Sequence, residues 1–113
     1  MMKKIALCSL LAAALSVLAA QAETWNNVPM VDTMCYAKVK ADPDSHPVSC
    51  ALACSKGGYG IIATDGAFLK FDESGNARVV DLLKSSKKKD RLRVTVDAER
   101  DGGTLKVKSL SLN

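Results

Sequence analysis

The chain is poor in the groups that most enzymes and nucleic-acid readers rely on. It has a single histidine, His46, in 113 residues, its acids are scattered, and no serine has a histidine and acid context, so hydrolytic catalysis has little to stand on. Aromatic residues make up 4%. Trp25, Tyr36, Tyr59, Phe68 and Phe71 are too few for the stacking platforms that hold single-stranded nucleic acid. Neither the C-x2-C spacing of thioredoxin-like oxidoreductases nor the C-x2-C-H of c-type haem attachment occurs. Gly57, Gly58 and Gly60 do not form a phosphate loop, because no strand pattern precedes them and no helix pattern opens after them. No internal repeat or low-complexity tail is visible, and no apolar run after the first can span a bilayer.

What is present begins with an export pattern. Met1-Met2-Lys3-Lys4 precedes an apolar stretch over residues 5–19 and then Ala20-Gln21-Ala22, which predicts a secretory signal peptide over residues 1–22, cleaved after Ala22. The expected product is one domain, residues 23–113, periplasmic or secreted and without a membrane anchor. Cys8 leaves with the signal. Losing Lys3 and Lys4 lowers the basic count of 16 by two, against 12 acids, so the mature net charge is about +2.

Export places Cys35, Cys50 and Cys54 in an oxidising compartment, where thiols pair as disulfides. Three cannot all pair within one chain. Residues 44–58 read DSHPVSCALACSKGG and predict one short helix: Ser45 or His46 as cap, Pro47 in the first turn, Gly57-Gly58 as the left-handed stop. Cys50 and Cys54 then share a face. Helix neighbours four apart have Cβ atoms about 5–6 Å apart, wider than the about 3.5–4.5 Å a disulfide needs, so the pair is better placed to aim at a third point than to bond each other.

Elsewhere the pattern is mostly strand. Residues 23–27 look like a loose lead-in, and residues 28–35 a first strand with Pro29 near its start. A polar connection reaches the cysteine helix. Residues 59–64 and 67–71, joined by Asp65-Gly66, form a hairpin, which residues 73–76 end. Val79, Val80, Leu82 and Leu83 recur at helical spacing and predict a second helix of about three turns at most. Leu92, Val94, Val96 and Ala98 alternate with polar residues, and Leu105 and Val107 do so after the Asp101-Gly102-Gly103 turn. The alternation slips at Ser109, which predicts a bulge or a barrel-closing bend.

Five strands with a helix between the third and fourth give a mainly β fold: a five-stranded OB-like barrel with two short helices, the cysteine helix inserted between strands 1 and 2. An open meander covered by one helix is the competing arrangement. Asp32-Thr33-Met34-Cys35, Cys50-x3-Cys54, Gly57-Gly58-x-Gly60, the Asp65-Gly66 hairpin and residues 104–110 together resemble small exported bacterial proteins of unknown function with an OB-like barrel. The resemblance covers most of the mature chain, implies that fold, and carries no activity with it.

Two uses of the cysteines compete. Cys35, Cys50, Cys54 and His46 make a Cys3His set suited to zinc, or to copper(I), with Met34 close by in sequence. Against this, His46 precedes a proline and is biased away from helical geometry, so its ring need not join the cysteine face. The alternative is a disulfide from Cys35 to Cys50 or Cys54, leaving a spare thiol on an interaction module for a protein or an anionic polymer. Lys84, Lys87, Lys88, Lys89, Arg91 and Arg93 form a basic cluster, read as a solvated loop before it is read as an anionic-ligand surface. The expected partner is a metal ion or another protein, and export weighs against nucleic acid. An enzyme survives only as thiol redox chemistry, which needs an accessible thiol of low pKa.

Overall fold

The computed structural model describes residues 22–113, so the signal-peptide reading lies outside the described residues except for Ala22. Strand β1 (Ala22–Asp32) is followed by helix α1 (Tyr36–Val39), helix α2 (Val48–Ala53), strands β2 (Tyr59–Ile62) and β3 (Phe68–Phe71), helix α3 (Glu73–Ser85), and strands β4 (Arg93–Asp101) and β5 (Thr104–Leu112). The strands close a barrel in the order β1-β2-β3-β5-β4. Closure needs β1 against β4 and a parallel pairing of β3 with β5, Lys70 beside Thr104 and Phe71 beside Leu105. This is the expected closed five-stranded barrel with an inserted cysteine helix, and the open meander is excluded.

The inward residues are those the alternation picks out. Val94, Val96 and Ala98 of β4 and Leu105 and Val107 of β5 are buried, with Ile61 and Leu69 facing each other across the β2–β3 hairpin. Each valine, leucine and isoleucine among them contributes about 1.5–3 kcal/mol by leaving water. The Asp65-Gly66 turn has Gly66 at φ 89°, and the Asp65 carboxylate accepts the Ala67 N–H at 3.0 Å. The register of β4 against β5 slips between Asp97 and Ala98, which pair with Ser109 and Val107. Lys108 is therefore the bulged residue, one position from the expected slip.

Three elements differ from expectation. β1 starts at Ala22, because residues 22–25 pair with β4; the lead-in is strand, and a register shift between Trp25 and Val28 bends it, with Asn27 at φ 50°. Asparagine tolerates that backbone better than most residues. β1 also ends earlier, at Asp32, whose carboxylate accepts the Cys35 N–H and opens a 3-10 turn over Thr33–Cys35. Helix α3 begins at Glu73, so residues 73–76 are its first turn and not the end of the hairpin. Asp72 caps it by accepting the Gly75 N–H at 3.0 Å.

The insert between β1 and β2 is not one helix over residues 44–58 but a 3-10 turn (Pro43–Ser45), the six-residue α2, and a second 3-10 turn (Ser55–Gly57). Pro47 is the reason. It holds His46 extended at φ −72°, ψ 121°, and is itself extended at ψ 146°, so helical geometry starts only at Val48. Neither Ser45 nor His46 caps α2, whereas Gly58 at φ 78° supplies the left-handed stop. Tyr59 ties the insert to the barrel by donating its hydroxyl to the Ala51 carbonyl at 2.8 Å.

Candidate metal centre

The site grows from the end of β1. Inward and outward residues alternate along a strand until it stops, and the stop at Asp32 leaves a carboxylate fully buried at 0% exposure. A buried carboxylate must be hydrogen-bonded or paired, and this one is both. Oδ2 accepts the Cys35 N–H at 3.0 Å, and Oδ1 lies 2.7 Å from His46 Nε2. His46 is 6% exposed. The extended backbone that Pro47 imposes takes its ring off the α2 cysteine face and turns it to Asp32.

Asp32, Cys35 and His46 each offer one donor atom, and the three atoms lie within 4.8 Å of one another. Burial, the Asp32 carboxylate and the neighbouring Cys54 together push the Cys35 thiol up to about 11. Burial raises Tyr59 too, with Asp32 and Cys54 adding to it, so the phenol, the carboxylate and the second thiol share one neighbourhood. The Thr33 hydroxyl is buried with no hydrogen-bond partner among the described residues.

Sequence reasoning named four ligands, and three of them gather here: Cys35 and His46 inside the group, Cys54 against Cys35. Cys50 is exposed and stands outside it. The helical spacing is intact, since the Cys54 N–H bonds the Cys50 carbonyl at 3.1 Å. What separates them is which side α2 buries. Its buried residues are Val48 and Ala51; at about 100° per residue, Cys54 lies about 60° from Ala51 and Cys50 about 100°. Met34 is 64% exposed and covers Gly57, where an added Cβ would meet Met34 Cγ at 2.7 Å.

Asp32 is the member of this group that the sequence does not single out. Its position three residues before Cys35 signals a capped turn, but burial beside a histidine 14 residues away leaves no mark in local spacing. Among the described residues, Cys35, Cys50 and Cys54 carry free thiols.

The arrangement is unlike that of a thiol nucleophile. Such a site sets imidazole between thiol and acid so that the base can take the thiol proton. Here the carboxylate touches both of the others, and burial, with the Asp32 carboxylate adding to it, holds the proton on Cys35. What a carboxylate, an imidazole and one or two thiols at one buried point can do is hold a cation.

Of the basic cluster, Arg93 is occupied. Its guanidinium grips Asp44 through Nε at 3.0 Å and a second nitrogen at 3.1 Å, and donates to the Asn27 carbonyl at 2.9 Å. Lys88 Nζ donates to the backbone oxygen of Asn113. Lys87 and Lys89 form no ion pair among the described residues. No protein-family profile, curated protein or solved structure matches this chain.

Proposed function

We propose that the chain is an exported OB-like module that binds a transition-metal ion, zinc first, through Asp32, Cys35 and His46, with Cys54 as fourth ligand. The convergence of three different donor atoms within 4.8 Å of one another, on a carboxylate that is 0% exposed, carries this reading. A mixed oxygen, nitrogen and sulfur set suits zinc better than copper(I), which favours all-sulfur sites. The separations are of the right order: ligands about 2.0–2.3 Å from a tetrahedral zinc lie less than about 4 Å from one another. Coordination replaces the thiol proton of Cys35, so uptake releases protons. Export rests on the pattern over residues 1–22 and the single domain on the pattern after it.

Metal content of mature protein recovered from the exported state tests the reading. One zinc per chain is expected, lost in Cys35→Ser and in His46→Asn but kept in Cys50→Ser. Cobalt(II) substituted at the same site is expected to show thiolate charge-transfer absorption that Cys35→Ser removes. A chain without zinc or copper, or one whose metal survives Cys35→Ser, sinks it.

The contact of Cys35 with Cys54 also favours a second reading, a disulfide between them on an interaction domain, with exposed Cys50 as the spare thiol. One titratable sulfhydryl and no metal is its signature.

A further inference from the structure

A groove between α2 and the chain leaving α3 lies outside the metal centre. Its floor is Val48, Leu52 and Leu83; Val48 and Leu83 belong to the buried core, and Leu52 is half-buried against it. Lys88 and Lys89 stand on its rim. The open space is about 500 Å³, within the range of about 300–1,000 Å³ typical of binding sites.

The walls are stitched together by backbone. The Val48 N–H donates to the Lys89 carbonyl at 2.8 Å and the Arg91 N–H to the Asp44 carbonyl at 2.8 Å, while Arg93 grips the Asp44 carboxylate. An occupant therefore meets a formed groove and little ordering cost. The charge around it has one dominant sign: between Lys84 and Arg93 the single acid is Asp90.

We propose that this groove docks an acidic segment of a partner protein, with one large apolar side chain seated between Leu52 and Leu83, a carboxylate on the exposed Lys89, and a second on the donors that Lys88 keeps beyond its bond to the Asn113 oxygen. An apolar anchor in a pocket ringed by complementary charge is how peptide interfaces concentrate their energy. A single-chain lipid fits less well, because small-ligand sites enclose about 70–90% of their ligand and this groove is open.

A random twelve-residue peptide library, selected against the mature protein, reads the preference directly. Enriched peptides are expected to pair a large apolar residue with two or more acids. Synthetic copies are expected to bind about tenfold more weakly to Leu52→Ser and to a Lys88→Glu, Lys89→Glu double variant, and more weakly still as salt is raised. Circular dichroism checks that both variants stay folded; the exposed Lys89→Glu alone, which threatens folding least, is expected to lose severalfold. No enrichment, enriched peptides without acids, or equal binding to wild type and Lys89→Glu overturns the proposal. So does capture of phosphatidylglycerol vesicles through the same lysines with no selected peptide competing, which would make the surface a membrane contact.

Discussion

Asp32 does three things at once. It caps the 3-10 turn through the Cys35 N–H, pairs with His46, and adds to the burial that pushes the Cys35 thiol up to about 11. Removing one member of a buried, hydrogen-bonded pair costs about 1–3 kcal/mol, because the polar group of its partner stays buried without a hydrogen bond. Asp32→Ala in the metal-free protein is therefore expected to lower the urea-unfolding free energy by about that much. Asp32→Asn is expected to lose less, since the amide oxygen still accepts from Cys35. A loss below about 1 kcal/mol for Asp32→Ala would mean that the pair does not hold the insert. Cys35, Cys54 and His46 were legible as chemistry from residue type and spacing alone. Asp32 was not, because an aspartate opening a turn looks like a cap wherever it occurs.

At the level of elements, α3 shows local preference yielding to packing. Gly75 sits in its first turn, where glycine is about 1 kcal/mol worse than alanine. Yet an added Cβ would come within 2.5 Å of Val107 Cγ2 and 3.0 Å of Phe71 Cβ. Overpacking of this kind costs about 1–3 kcal/mol, so Gly75→Ala is expected to destabilise despite its better propensity. Val107→Ala in the same chain should recover part of that loss, and a double-mutant cycle measures the coupling. Gly75→Ala raising the melting temperature would show that β5 moves aside freely. The alternation in β4 and β5 was readable because one face is buried and the other wet. The true start of α3 was hidden because Glu73-Ser74-Gly75-Asn76 is turn-like in composition; Asp72 is what makes it helix.

Across the molecule, the insert is held to the barrel by Tyr59 at one side and by the Asp44–Arg93 pair at the other. The hydrogen bonds from Arg93 hold the Asp44 carboxyl below its ordinary value of 3.8. A carboxylate depressed in the folded state contributes stability that is complete above its unfolded pKa and is lost as pH falls through the folded one. Both side chains are 29% exposed, which limits the pair to about 0.5–1 kcal/mol. Asp44→Asn is thus expected to be less stable than wild type by that amount near pH 7, the gap closing below pH 3.8. A gap that stays constant down to acid would assign the effect to something other than charge. If zinc is bound, free metal at about 100 times its dissociation constant adds about 2.7 kcal/mol. A domain of this size should then melt about 10–20 °C higher than in chelator.

Local pattern was enough to define five strands, the hairpin turn, the bulge near Ser109 and a cysteine-bearing helix in the first connection, because each is written in periods of two or four residues or in turn chemistry. It also named thiols and an imidazole as the reactive inventory. Which of those groups meet was decided by long-range packing. The end of β1 drives Asp32 inward, Pro47 holds His46 off the helix and against that carboxylate, and the buried stripe of α2 rotates Cys54 toward Cys35 while leaving Cys50 in water. Each of these depends on residues more than ten positions apart being pressed into one core, and burial of that kind is a property of the closed barrel rather than of any short run of chain.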